Sequence, residues 1–399
     1  MRIALAHDWL CGYRGGEAVL ERLAALVRRQ HEAAGLYVMV DDGERLGAAI
    51  DTIPHVRSRL DPLPMAAGRL RRWYFPLYAW AVEGLSNQLE RAHAIRPIDL
   101  VISTSSAAIK GLRPPTGVPH LCYCHSPARY AWSQRREYSS GRLGGLRGAG
   151  LAMFARRFQK WDVATAANVT RFVANSGHTA AEIKRCYGRD AEIVHPPVRC
   201  EYFTPDVSVA REDFWLVVSA LEPYKRVELA IEAARRAGKR LVVAGSGSQR
   251  RYLQSLSRGS RPGSVVFVDR VPDDELRQFY RKAAVLVFPQ VEDFGIIAVE
   301  AMACGLPVVA RRAGGALSTI VDGVTGALFD RDDPAAVVEA MSRLPSSAAG
   351  ACRVQAARFS ERVFDERMSL IISQALGGSL AIQPAGLPVS RPSRRAPAQ

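Results

Sequence analysis

The chain has 399 residues, 48% hydrophobic and 23% charged, a balance that suits a globular protein with core enough to fold without disulfides. No apolar run approaches the roughly 18 residues of a membrane span, and the opening Met1–Asp8 stretch reads as a strand rather than a secretory signal, so neither an integral-membrane nor a secreted protein is expected. Fifty-four basic against 39 acidic residues give a net charge of +15, which favours anionic partners: nucleotides, lipid phosphates, acidic membrane surfaces or nucleic acid.

The strands predicted from short apolar, β-branched runs are 2–6, 36–40, 99–103, 120–124, 171–174 and 192–195, then 214–219, 240–244, 265–269, 285–289 and 307–310. Many are apolar on both faces and alternate with longer Ala, Leu and Arg stretches of helical character. That pattern predicts parallel sheets covered by helices on each side, an α/β doubly wound architecture. His195-Pro196-Pro197-Val198 breaks the alternation. The expected organisation is a first domain at 1–200, a linker at 201–211, and a second domain at 212–345. Helices at 346–377 are expected to pack back on the first domain, and a basic tail at 378–399, poor in core material, is expected to be disordered. The seven cysteines are odd in number and show no CxxC or metal-ligand spacing, as in a reduced cytoplasmic protein with packed thiols. No metal is expected.

Five motifs precede the most informative one. Gly12-Tyr13-Arg14-Gly15-Gly16-Glu17 follows the first strand, and such glycines let backbone approach a phosphate or sugar closely. Cys124-His125-Ser126-Pro127-Ala128-Arg129 places His125 just past a strand end. Lys225-Arg226 lies at the turn after the first strand of the second domain, where a cation can neutralise a diphosphate. Gly245-Ser246-Gly247 lacks the spacing of a dinucleotide fingerprint and reads as a sheet-to-helix turn. Asn175-Ser176 reads as a helix cap. Two basic, aromatic stretches, 69–78 and 142–161, suit either an anionic bilayer or ordinary helices with solvated arginines.

Between Phe288 and Pro307 a buried strand gives way to the acidic loop Glu292-Asp293-Phe294-Gly295, and a helix follows that ends at Gly305. Its Glu300 lies among Ile296, Ile297, Ala298, Val299, Ala301, Met302 and Ala303. It is therefore expected to be buried, where a carboxylate needs a partner. A ribose diol supplies two O–H donors for two carboxylate oxygens, and the helix N-terminus about 7 Å away presents free N–H groups to a phosphate. The alternative partner is an arginine of a neighbouring helix.

The Glu292 and Glu300 spacing within this loop and helix resembles the signature of family 4 glycosyltransferases. The resemblance extends over nearly the whole chain and implies the GT-B fold, two Rossmann-like domains facing a cleft. It implies a retaining hexosyltransferase that works without metal or other cofactor. Glu292 would lie at the donor sugar, Glu300 at the ribose, and Phe294, Gly295 and Ile296 at the sugar or diphosphate. Lys225, with Arg226 as a possible substitute for the arginine usual where Ala220 stands, would bind the diphosphate. Gly15 and Gly16 would close over it, and His125 would meet the sugar or the reaction centre. Ser318 stands where a glutamate is usual, so no role is carried there.

The 122–132 string, with Trp161-Asp162, is similar to mannosyltransferases of bacterial surface-polysaccharide assembly. That implies GDP-mannose as donor and a saccharide acceptor, lipid-linked through a polyprenyl diphosphate, at the inner face of the plasma membrane. The alternatives are a UDP-sugar enzyme of the same fold, or a non-catalytic relative that binds anions or nucleic acid.

Overall fold

The computed structural model describes residues 1–68, 70–129, 131–132, 146–258 and 264–377. The tail expected at 378–399 and residues 142–145 of the second basic stretch lie outside them.

Two parallel sheets form. The first comprises β1 (Arg2–Leu10), β2 (Glu32–Asp41), β3 (His55–Arg57), β4 (Leu100–Ser105), β5 (His120–Cys124), β6 (Arg171–Ala174) and β7 (Ala191–Ile193), in the order β3-β2-β1-β4-β5-β6-β7. The second comprises β8 (Phe214–Val218), β9 (Arg240–Ala244), β10 (Val265–Val268), β11 (Val285–Phe288), β12 (Val308–Arg311) and β13 (Gly326–Phe329), in the order β10-β9-β8-β11-β12-β13. In each sheet the order reverses beside the domain's first strand, β1 next to β4 and β8 next to β11. Crevices for ligands open at the carboxyl ends of strands at such reversals.

The two-sided apolar pattern explains the layers. Ile3 and Leu5 of β1 enter one core while Ala4 and Ala6 enter the other, and in β8 Phe214 and Leu216 face away from Trp215 and Val217. Helices therefore cover both faces of each sheet. β3 and β13 were not expected from the sequence: each is an edge strand of three or four residues, too short for a periodicity to register.

The segment 346–377 divides, which corrects the expectation that all of it packs on the first domain. Helix Ala349–Ala357 buries the small side chains Cys352 and Ala356 in the second core. Helix Glu361–Ala375 buries Phe364, Met368, Ile371 and Ile372 in the first, and Arg22 clasps its Asp365 at 2.7 and 2.8 Å. The chain thus passes between the domains twice, and the two passages are bonded together: Val198 N–H donates to Phe359 O at 2.9 Å and Glu361 N–H to Val198 O at 3.2 Å.

Three buried charged side chains hold the first domain's loops. Asp8, at the end of β1, accepts the backbone N–H groups of Ser106, Ala107, Ala108 and Ile109 at 2.6–2.8 Å, so the turn after β4 is wrapped on one carboxylate. Lys110, 1% exposed, meets Asp162, 0% exposed. Its ammonium lies 2.9 Å from Asp162 Oδ1, while Trp132 Nε1–H and the Tyr187 hydroxyl donate to Oδ2 at 2.8 and 2.9 Å. All seven cysteines are free thiols, and no helix among the described residues is long and apolar enough to cross a membrane.

Candidate active site

The carboxyl ends of the two sheets face each other. On the second domain, β11 ends at Phe288 and the loop to helix Ile296–Ala303 turns at Gly295, whose φ of +89° is left-handed. A Cβ at Gly295 would stand 3.0 Å from the Phe288 ring. The loop rests on Gly314-Gly315, where a Cβ would come within 2.3 Å of Glu292 O or 2.2 Å of Phe294 Cα, and Gly315 N–H donates to Glu292 O at 2.7 Å. These glycines let two loops share one space. Gly245 and Gly247 do the same against Ser219 and Leu221.

Lys225, on the short turn Pro223–Lys225 after β8, meets the Glu292 carboxylate in an ion pair. Arg226 does not join them. Its Nε donates to Glu228 at 2.6 Å and its Nη1 to Asp332 at 3.0 Å, so its guanidinium is held by two carboxylates apart from the Lys225–Glu292 pair.

Glu300 departs from the expectation in one respect: it is partly exposed rather than buried. The Tyr280 hydroxyl donates to its Oε2 at 3.2 Å, and no arginine ion pair reaches it among the described residues. Its carboxyl is pushed up to about 7, because desolvation outweighs the attraction of Arg199 and the Tyr280 bond. Arg199 itself is held by Asp273 at 2.8 Å. If Glu300 grips a ribose diol as the carboxylate, nucleotide affinity should rise with pH through about 7 and weaken about tenfold per unit below it. Calorimetric titration between pH 5.5 and 8 checks this, with Glu300→Gln weak and flat across the range. The raised value also means that ionised Glu300 costs the free protein stability as pH rises from the ordinary carboxyl range to about 7. Glu300→Gln should therefore melt higher at pH 8.

On the first domain, His125 is fixed through its backbone. Its N–H donates to Ser105 O at 2.8 Å, and its carbonyl accepts from Asn175 Nδ2 at 2.9 Å and Thr179 Oγ1 at 3.2 Å. Its Nε2 is buried and has no hydrogen-bond partner among the described residues. Burial, then the nearby charge of His7, pushes the imidazole down to about 3, so it stands neutral and ready to exchange a hydrogen bond with a ligand hydroxyl. A Cβ at Gly16 would lie 3.8 Å from that Nε2 and 3.7 Å from His7 Cε1, so the glycine loop closes over both rings.

The loop's helix, Gly15–Gln30, opens with Glu17 accepting the Arg14 N–H at 3.1 Å. Burial raises Glu17, but the hydrogen bond and charge of His7 outweigh it and hold the carboxyl below its usual range. His7 Nδ1 in turn lies 2.6 Å from Thr104 Oγ1. Ser176 caps its helix by accepting Thr179 N–H at 3.1 Å, while buried Asn175 Oδ1 has no hydrogen-bond partner among the described residues.

Across the cleft, a Cβ on Gly15 would come 3.1 Å from Ile296 Cδ1, and His195 stacks on Phe294 with centroids 5.4 Å apart. Arg129 forms an ion pair with Asp293, and His178 Nε2 stands 4.0 Å from the other Asp293 oxygen. The structure thus brings together Gly15, Gly16, His125, Lys225, Glu292, Phe294, Gly295, Ile296 and Glu300 around one cleft. His7, Glu17, Arg129, His178 and Asp293 were missed. The available signal was the run of polar residues at the ends of otherwise apolar strands, His7-Asp8 after β1's core and the 125–129 turn after β5.

The family described as Glycosyltransferase Family 4 matches residues 13–202, and that described as Glycosyl transferases group 1 matches residues 202–360. The D-inositol 3-phosphate glycosyltransferase of Geodermatophilus obscurus is 32% identical over 304 residues, spanning 65% of this chain and 67% of the relative. The chain belongs to glycosyltransferase family 4. The corresponding enzyme of Acidothermus cellulolyticus is 34% identical over 211 residues, 46% of this chain and 47% of its own length; the chain spans about half the length of that relative. Among solved structures, sucrose-phosphate synthase from Thermosynechococcus elongatus superposes with a TM-score of 0.71 at 19% identity, covering 95% of this chain and 100% of that one. Anabaena HepE in complex with UDP-glucose gives 0.67 at 17% identity over 93% and 99%. These similarities establish the GT-B fold.

Proposed function

We propose that the chain is a retaining glycosyltransferase that moves a hexose from a nucleotide sugar to a saccharide acceptor. The observation that carries this reading is the Lys225–Glu292 pair placed at the N-terminus of helix Ile296–Ala303, with Glu300 one turn further along the same helix. A diphosphate entering there meets the ammonium and the unpaired N–H groups of the helix start, and Glu292 is released toward the sugar hydroxyls. The ribose reaches Glu300 about 6 Å along the helix. Charge that develops on the departing diphosphate is stabilised by Lys225, the helix terminus and the Gly15-Gly16 loop. Neutral His125 orients a hydroxyl from the opposite wall.

GDP-mannose is the proposed donor, from the resemblance to surface-polysaccharide mannosyltransferases. A UDP-hexose is the second reading, favoured by the UDP-glucose held in similarly folded HepE. The proposed acceptor is a polyprenyl-diphosphate-linked saccharide, met at the inner face of the plasma membrane. Support comes from a cluster of exposed apolar side chains on the first domain, Met65, Leu77, Trp73 at 68% and Trp80 at 44% exposure, with the Arg59 guanidinium 5.8 Å from the Trp80 ring. Aromatic and basic side chains in that combination suit an anionic bilayer surface. In the second stretch Phe158 is buried against Phe75 at 4.7 Å, so that part of it belongs to the core.

Incubation with GDP- and UDP-sugars and lipid-linked acceptors in anionic vesicles tests the whole reading. Transfer from GDP-mannose, with the protein sedimenting alongside the vesicles, is the expected result. Tighter binding of UDP than GDP rejects the mannosyl assignment, donor turnover without acceptor points to an epimerase, and salt-sensitive DNA retention without nucleotide-sugar binding points to a nucleic-acid-binding relative.

A further inference from the structure

The 125–129 turn and the Glu292-Asp293 loop are opposite walls of the cleft, and one ion pair ties them. Arg129 is anchored from behind. The turn that carries it closes through Ala131 and Trp132 N–H groups donating to Ala128 O at 2.9 and 3.1 Å, and Trp132 is pinned to buried Asp162 at 2.8 Å. Asp293 is anchored in turn by the Gly314-Gly315 platform under its neighbours Glu292 and Phe294. Asp293 is adjacent in sequence to Glu292, and Arg129 lies four residues after His125. The pair therefore spans the same gap as the two groups that face the sugar from either side.

We infer that Arg129 and Asp293 are a positioning pair, holding the two domains in the register at which Glu292 and His125 address one sugar. Neither side chain needs to touch the substrate; each acts through its neighbour. Asp293 also faces His178 at 4.0 Å and adjoins the carboxylate of Glu292. Without Arg129 its carboxylate would sit desolvated beside a like charge, and the loop would move away from the first domain. Gly15 on Ile296 and His195 on Phe294 also cross the cleft, but as apolar or stacking contacts they are less directional than the ion pair.

This inference rests on the proposed transfer reaction, so its test has one arm that does not. In small-angle scattering of the unliganded protein, Arg129→Gln and Asp293→Asn should each enlarge the radius of gyration, with Arg129→Lys close to wild type. In the transfer assay each of the two variants should lower kcat at least tenfold, in line with the about 10²-fold effect of a 1 Å misplacement. Calorimetric affinity for GDP and UDP should change less than about threefold, because Lys225, the helix start and Glu300, the groups proposed to hold most of the nucleotide, all stand on the second domain. The double variant should be no slower than either single one. Unchanged scattering, additive losses in the double variant, or nucleotide affinity falling in step with kcat would each overturn the assignment. Scattering that responds as expected in a protein showing no sugar transfer would uphold the domain register while refuting the proposed reaction.

Discussion

Lys225→Ala should lower kcat by about 10²–10³-fold, the scale of removing one donor aimed at a developing oxyanion, while the melting temperature stays within a few degrees. The ammonium is partly exposed at the cleft wall and is held by one partner, Glu292, so its loss leaves a carboxylate that water can reach rather than a buried orphan charge. The effect should fall on kcat and kcat/KM together, because the leaving diphosphate carries more charge in the transition state than in the bound donor. Glu292→Gln should cost a similar factor by another route, since the amide keeps the shape and loses the acceptor charge facing the sugar. The two changes act at one point, so the double variant should lose less than the product of the two. Steady-state kinetics with a melting curve for each protein checks this, and activity that survives both changes would refute the site.

Asp162→Asn should be the most damaging single change to the fold of the first domain. Asp162 gathers Lys110, Trp132 and Tyr187 from three separate pieces of chain with no exposed surface. Neutralising it leaves the Lys110 ammonium buried without a counter-charge, a loss of about 3–5 kcal/mol. For a domain of this size that is a drop in melting temperature of roughly 10 °C or more. Lys110→Met should destabilise by a comparable amount, and combining the two should cost less than their sum, because no lone charge then remains. A double variant as unstable as the two losses added together would show that the residues act independently.

The sheets were legible because parallel strands buried on both faces leave unbroken apolar runs that hardly depend on tertiary context. β3 and β13 were not, since a three- or four-residue edge strand carries no period. Glu292 and Glu300 stood out as acids against an apolar background, and the glycines beside them announced close backbone approach. The helix around Glu300 nevertheless suggested complete burial, because composition does not show which side of a short helix faces a crevice. Arg129 and Asp293 are 164 residues apart, and basic residues that are nearly all arginine offer no sequence reason to single out one of them. The same distance problem hid Lys110 opposite Asp162, 52 residues away. Local pattern therefore revealed the elements and the acidic loop between β11 and its helix, while the pairs that fix loops to one another emerged only from the folded chain.

Because the polypeptide crosses from one half to the other at Val198 and again at Phe359–Glu361, with the crossings hydrogen-bonded side by side, the halves are joined by a two-stranded strap rather than a single tether. A strap keeps the halves adjacent along that edge and leaves their register at the facing edge to the Arg129–Asp293 pair.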